Sequence, residues 1–113
     1  MSDTNNAQAV ERAPITEEDV VEVLRTIYDP EIPVNIYDLG LIYRIRFPAE
    51  REVHILMTLT APGCPVAGTF PQTIQYRVQT ELDLDEVQVE LTFDPPYRPD
   101  MMTEAARLEL GFM

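Results

Sequence analysis

Three segments of the sequence, 41–47, 53–59 and 87–93, place an apolar residue at every second position. Alternation with a period of two is typical of a strand that buries one face against a core. A short turn around Pro48 separates the first two segments, which predicts an antiparallel hairpin. A helical segment precedes the third, and a right-handed crossover through it makes the third strand parallel to the second. The pattern therefore predicts a three-stranded mixed sheet.

Helical segments flank and interrupt these strands. The first, predicted for 17–28, begins with a capping-box sequence and is followed at once by Pro30, which a helix does not pass easily. A second helix follows Thr69 and carries apolar residues at helical spacing. A short third helix is predicted for 103–110. The predicted fold is a small single α/β (α+β) domain, in the order α-β-β-α-β-α, with the helices packed on the sheet.

The length of 113 residues fits one domain. Residues 1–13 are polar and lack periodicity, so we predict a mobile N-terminal tail before a domain over 14–113. No apolar run approaches 18 residues and no secretory leader is visible, so we expect neither a membrane span nor secretion. A single cysteine excludes an internal disulfide and suits a reducing compartment. We therefore expect a cytoplasmic protein.

Acidic residues dominate the charged surface. Eight basic against twenty acidic residues give a formal net charge of −12. Such a surface repels nucleic-acid phosphates and anionic lipids, so we predict no nucleic-acid partner and no membrane partner. The charge is compatible with a basic protein partner, and equally with an ordinary soluble surface that has no such partner.

The only cysteine, Cys64, lies in a Pro-Gly-Cys-Pro sequence between the second strand and the second helix. It is either an inert residue buried under a tight turn or an accessible thiol in a stiff loop before a helix, where thiolate is favoured. The predicted topology brings the end of strand 2, the end of strand 3 and the start of strand 1 to one end of the sheet. Proline-containing connections would then converge on Cys64, as in many ligand sites.

A thiol enzyme would need a base near Cys64, and His54 is the only histidine. Six strand residues from His54 to Thr60 span about 20 Å, whereas the four residues onward to Cys64 reach back at most about 13 Å. The pair cannot meet within one chain. We therefore predict that the protein is not an enzyme and that His54 is solvated.

Metal binding is limited by the number of thiols. An iron–sulfur cluster normally takes four thiolates, and this chain supplies one. A cluster on Cys64 would have to be shared with another subunit, a partner protein or a small thiol, with Asp29 or Glu31 as candidate oxygen ligands. The carboxylates of Asp29, Glu31 and Asp38 are otherwise explained as formers of turns and caps.

Three motifs resemble the SufT-type iron–sulfur assembly proteins. They are Asp-Pro-Glu-Ile-Pro-Val-Asn-Ile-Tyr-Asp-Leu-Gly-Leu-Ile-Tyr at 29–43, Met-Thr-Leu-Thr-Ala-Pro-Gly-Cys-Pro at 57–65, and Phe-Asp-Pro-Pro at 93–96 with the helix up to Gly111. That family also includes the PaaD maturation factor and a subunit of the eukaryotic cytosolic iron–sulfur targeting complex. The functional landmarks that the resemblance implies are Asp29, Pro30, Glu31 and Cys64.

The resemblance implies a maturation factor that delivers or stabilises clusters for client proteins through Cys64. Its cofactor would be an iron–sulfur cluster, transient or shared, and its partners would be scaffold proteins, client apoproteins and a second copy of the chain. Two alternatives stay open, a protein–protein adaptor with a structural cysteine and a PaaD-like maturation factor of an oxygenase. PaaD-like proteins continue into a cysteine-rich extension that does not follow Met113, which favours the SufT type. Tyr97 occupies a position that is often Trp in the family.

Overall fold

The computed structural model describes residues 14–60 and 68–111. The elements in chain order are helix α1 (Glu17–Leu24), strands β1 (Ile42–Ala49) and β2 (Glu52–Met57), helix α2 (Phe70–Glu81), strand β3 (Glu86–Leu91), a 3₁₀ turn (Pro99–Met101) and helix α3 (Glu104–Leu110). β2 lies in the middle of the sheet, antiparallel to β1 and parallel to β3. The predicted mixed sheet and element order are confirmed. The tail predicted for 1–13 lies outside the described residues.

The core is built on the central strand. Every second residue of β2 and its extension is almost completely buried: Val53, Ile55, Met57 and Leu59. The stripe that α2 turns to this face is buried as predicted: Phe70, Ile74 and Val78. Burying each such side chain contributes roughly 1.5–3 kcal/mol to folding. The two longer helices therefore cover one face of the sheet, because the apolar residues of all three strands point to that face.

Helix α1 begins as predicted and ends earlier than predicted. Its capping box forms, with the Asp19 N–H donating to Thr16 Oγ1 at 3.2 Å and the Thr16 N–H donating to Asp19 Oδ2 at 3.0 Å. The helix stops at Leu24, and the predicted end at position 28 is wrong. The Ile27 N–H bonds to the Leu24 carbonyl in a tighter turn, and Tyr28 then forms a β-bridge with Asn35. Pairing with a later part of the chain thus ends the helix before Pro30 can.

Strand β1 does not keep the strict alternation that its sequence predicts. Ile42 pairs with Met57 whereas Arg44 pairs with Leu56, so Tyr43 is the extra residue of a β-bulge. Ile42 and Ile45 both pack against the core as a result. Phe47, expected on the buried face, is 39% exposed after a second shift in the register.

Strand β3 is shorter than predicted and ends at Leu91. Phe93, expected to be its last buried residue, is 38% exposed. The third helix forms as predicted, with Thr103 Oγ1 accepting the Ala106 N–H at 3.2 Å and Gly111 ending it at a φ of 78°. In the part of the chain that is described, no helix is long and apolar enough to cross a bilayer.

Candidate functional site

Three connections meet at one end of the sheet. The Thr58 N–H donates to the Leu41 carbonyl at 2.8 Å, which joins the end of β2 to the start of β1. The Thr92 N–H donates to the Met57 carbonyl at 2.8 Å, which joins the end of β3 to the same place. The chain leaves this end after Thr60 and continues into the segment that contains Cys64. Cys64 itself lies outside the described residues, so its accessibility stays a prediction.

Asp29 organises the first of these connections through its side chain. Its Oδ1 accepts the N–H of Glu31 at 2.7 Å and the N–H of Ile32 at 2.9 Å, an Asx turn that carries the chain around Pro30. Its own N–H donates to the Val34 carbonyl at 3.1 Å. One carboxylate oxygen is therefore used to form the turn, as the structural interpretation of this residue predicted. Within 14–60 and 68–111, the other oxygen accepts no hydrogen bond.

Glu31 and Asp38, the other two carboxylates of this connection, differ in their surroundings. Glu31 is exposed to solvent. Asp38 is tied to its neighbours: Asn35 Nδ2 donates to its Oδ2 at 2.9 Å, and Arg25 Nε lies 3.6 Å from its Oδ1. Its carbonyl also accepts the N–H of Thr103, which attaches the start of α3 to this connection. Asp38 is thus a structural residue, and Glu31 is the more available of the two.

Two tyrosines fasten the connection after β3 to the connection before β1. The Tyr97 hydroxyl donates to the Leu39 carbonyl at 2.6 Å, and the Tyr43 hydroxyl donates to the Pro95 carbonyl at 2.8 Å. Burial, and after it the negative charges of Asp29 and Tyr43, raise the pKa of Tyr97 to about 12. The phenol therefore stays protonated and remains a donor. The Asp94–Pro95 peptide bond between these tyrosine contacts is cis.

Gly40 allows the close approach that completes this end of the sheet. Its φ is 92°, in the left-handed region, and a Cβ added to it would lie 2.5 Å from the Met101 carbonyl oxygen. Only glycine fits both conditions. The sequence marked Gly40 as part of a family motif, but the reason for glycine lies in a contact with a residue far along the chain. The hydrogen bonds of Tyr43 and Tyr97 also join residues that lie far apart in the chain, so no local pattern in the sequence indicates them.

A cleft of about 730 Å³ opens beside these contacts. Its walls are mainly aromatic and apolar, with one carboxylate: Tyr37, Gly40, Ile42, Tyr43, Arg44, Leu56, Asp94, Pro95, Met101 and Thr103. Such walls suit an apolar side chain of a partner rather than a metal ion. In residues 14–60 and 68–111, no three His, Cys, Asp or Glu side chains come together as a metal site.

His54 lies in the middle of β2, paired with Arg46 on one side and Gln88 on the other. It belongs to the sheet face opposite the buried residues, and it is partly exposed. His54 is therefore partly solvated, and that it does not serve Cys64 as a base stays a prediction.

Comparisons with known proteins match the fold and the motifs together. The family model described as "Iron-sulfur cluster assembly protein" matches residues 17–91. A Fe-S protein maturation auxiliary factor of Porphyromonas gingivalis is 51% identical over 98 residues, which cover 87% of this chain and 93% of the relative. The Fe-S protein maturation auxiliary factor SufT of Staphylococcus aureus is 35% identical over 89 residues, which cover 75% of this chain and 97% of the relative.

A solved structure shows the same architecture. The domain of unknown function DUF59 from Bacillus anthracis superposes with a TM-score of 0.79 at 28% identity, covering 96% of this chain and all of that one. The match to the family model begins with α1 and includes every strand of the sheet, so it spans the strands whose ends meet at Thr58 and Thr92. The chain belongs to the family of iron–sulfur cluster assembly proteins.

Proposed function

We propose that this protein is a cytoplasmic maturation factor that holds an iron–sulfur cluster transiently through Cys64 and passes it to client apoproteins. One observation carries the proposal: the end of β2, the end of β3 and the start of β1 are hydrogen-bonded to one another through Thr58 and Thr92, and Cys64 follows the end of β2 in the sequence by only a few residues. The family membership and the maturation factors among its relatives support it. The proposed role includes no catalytic turnover, and the position of His54 in the middle of β2, between Arg46 and Gln88, supports this part of the proposal.

The number of ligands requires a second molecule. One thiol per chain leaves a cluster incomplete, so a partner protein, a second copy or a small thiol supplies the other thiolates. Asp29 and Glu31 stay the two candidate oxygen ligands, and one carboxylate oxygen of Asp29 is left without a hydrogen bond from the described residues. Glu31 lies two residues further along the same turn and is exposed.

A second candidate function is an adaptor that docks a partner without holding a cluster. The cleft of about 730 Å³ favours it, because the aromatic and thioether walls suit an inserted side chain. In that case Cys64 would have a structural role. A PaaD-like role toward an oxygenase differs from our proposal only in the client.

Cys64→Ser separates the two functions. If Cys64 is a cluster ligand in a loop, its replacement by Ser should change the free energy of unfolding by no more than about 0.5 kcal/mol. We expect the activity of iron–sulfur enzymes in cells that depend on this protein to fall nonetheless. Urea unfolding and complementation, measured on the same variant, test this. If stability and complementation decline in proportion, Cys64 is a structural residue and the adaptor function is favoured.

A matched pair of variants tests Asp29. Asn at this position retains an oxygen that accepts both N–H groups of the turn but removes the charge, whereas Ala removes both. If Asp29 binds the cluster, Asp29→Asn keeps the stability and lowers the iron retained by protein purified without oxygen. If Asp29 only forms the turn, Asp29→Asn behaves as wild type in both measurements while Asp29→Ala is destabilised.

A further inference from the structure

The outer edge of strand β1 is open within the described part of the chain. β1 stands at one end of the strand order, so β2 is its only neighbour among the described strands. Apart from the ladder with β2, its backbone forms no hydrogen bond to the backbone of another described residue. At such an edge the outward N–H and carbonyl groups can pair with a strand of another molecule. Tyr43 is bulged and Pro48 has no N–H, so positions 44–47 form the regular part of this edge.

Two arginines of this edge have no partner within 14–60 and 68–111. Arg44 pairs with Leu56 and Arg46 pairs with His54, so both arginines lie on the sheet face that the helices leave open. Neither forms an ion pair or a side-chain hydrogen bond there, although 20 acidic residues stand against 8 basic ones. The other described arginines each have a carboxylate or a carbonyl oxygen as partner: Arg25, Arg51, Arg77, Arg98 and Arg107. The edge of β1 thus offers two guanidinium groups to the carboxylates of another molecule.

The helix side of the same edge is apolar. Ile45, which lies between the two arginines in the sequence, packs against the core and is partly buried. Phe47 is largely uncovered and lines a small pocket beside Ile15, which also packs against the core. A strand added to β1 would extend both faces of the sheet, because its side chains alternate between them. Its side chains on the helix side would cover Ile45 and Phe47, and those on the open side would lie beside the two arginines.

We propose that the outer edge of β1 binds an extended acidic segment of a partner protein as a fourth strand. The segment carries two carboxylates at alternate positions and an apolar residue between them. Two residues of a strand span about 6.6 Å, so these carboxylates have the spacing of Arg44 and Arg46 on the strand beside them. Opposite charges at paired positions stabilise a sheet, while main-chain hydrogen bonds supply affinity for any extended segment. The pairing depends on neither Cys64 nor a cluster.

The acidic residues on the open face lie far from this edge. Glu86 and Glu90 belong to β3, three strand spacings or about 14 Å from the added strand. Glu50 and Glu52 lie at the hairpin turn, roughly 13–14 Å from the position opposite Arg46. At physiological salt the Debye length is about 8 Å, so charges at these distances are largely screened. The net charge of the chain therefore does not prevent an acidic segment from binding at β1.

The two arginines are expected to contribute unequally. Asp94 lines a cleft together with Arg44, although the two form no ion pair, and its charge weakens the attraction of Arg44 for a carboxylate. Arg46 has His54 and then Gln88 beside it in the sheet, and neither carries a negative charge. We therefore expect Arg46 to contribute more to binding than Arg44.

Titration of the nitrogen-15-labelled protein with a synthetic peptide tests the pairing by NMR. The peptide is Ser-Thr-Glu-Val-Glu-Val-Thr-Ser with both ends blocked, and we expect a dissociation constant on the order of 100 μM, as for small transient interfaces. Amide signals of 44–47 should shift most, and hydrogen exchange should slow at alternate residues of this segment. The isomer Ser-Thr-Glu-Glu-Val-Val-Thr-Ser places its carboxylates on opposite faces of a strand, so it should bind at least fivefold more weakly. Equal binding of the two peptides, or shifts confined to β3, would overturn the proposal.

Charge reversal in the protein gives an independent test. Arg46→Glu should weaken binding of the first peptide about tenfold and Arg44→Glu about threefold, because each places like charges side by side. Arg98→Glu, an equal change of charge at an exposed residue outside β1, should change binding less than twofold.

The double variant Arg44→Glu with Arg46→Glu separates a lost contact from a lost fold. It should bind the peptide in which Lys replaces both Glu residues, and the wild-type chain should not. The proposal is overturned if the wild-type chain does not bind the Glu peptide at up to about 2 mM, or if the double variant does not bind the Lys peptide.

Discussion

Gly40→Ala tests the close approach between Gly40 and Met101 at the end of the sheet where the three connections meet. The φ of 92° costs an L-residue roughly 1–2 kcal/mol, since its side chain crowds the backbone there. The new Cβ would also lie 2.5 Å from the Met101 carbonyl oxygen, which is backbone and cannot rotate away. Forcing extra volume into a packed site costs about 1–3 kcal/mol. We expect a total loss of about 2–5 kcal/mol, a large part of the roughly 5–15 kcal/mol that stabilises a domain.

Substitutions at two other glycines separate the backbone cost of the positive φ from the steric cost of the added Cβ. Gly111 has a φ of 78° and nothing within 4 Å of the added Cβ, so Gly111→Ala should show the backbone cost alone. Gly68 has open space as well and no positive φ, so Gly68→Ala should change stability by less than about 1 kcal/mol. Urea denaturation followed by circular dichroism gives the three values. With a slope of about 2 kcal/mol per M, Gly40→Ala should lower the midpoint by roughly 1–2.5 M.

The reasoning is refuted if Gly40→Ala costs no more than Gly111→Ala. That result would mean that the Met101 backbone moves aside freely, so the connection before β1 would not be held against the 3₁₀ turn. A cost well above that of Gly111→Ala, with normal complementation at low temperature, would show that the contact stabilises the fold and leaves the chemistry unaffected.

Two further predictions concern a hydrogen bond and the surface charge. Tyr97→Phe should cost about 1 kcal/mol of stability at pH 8, because the hydroxyl bond to the Leu39 carbonyl is lost. Burial raises the pKa of Tyr97 to about 12 from 10 in the unfolded chain, so its contribution is complete below pH 10 and declines as the pH rises toward 12. Urea unfolding between pH 9 and 11 should therefore show a steeper loss in wild type than in Tyr97→Phe, and parallel curves would contradict the pKa shift. We also expect no measurable binding to DNA or RNA at physiological salt, because the net charge is −12, and a micromolar complex in a filter-binding assay would disprove this.

The sequence determined the elements whose signals are local. The capping box at Thr16, the stripe on α2 and the alternation in 53–59 each lie within a few consecutive residues, and each formed as predicted. Strand order followed as well, because a hairpin and a right-handed crossover leave few topologies. The meeting of the ends of β2 and β3 with the start of β1 is a consequence of that order, so it too was predictable, whereas their convergence on Cys64 stays a prediction.

The tertiary structure decided what depends on residues far apart in the chain. The Tyr43 hydroxyl reaches a carbonyl 52 residues later, and the Tyr97 hydroxyl reaches one 58 residues earlier. The end of α1 was set by a bridge to Asn35, and the alternation in β1 was broken by a bulge against β2. The intrinsic preference of a residue for helix or strand differs by only about 1 kcal/mol or less. A single long-range hydrogen bond or one buried side chain is therefore enough to reverse that preference.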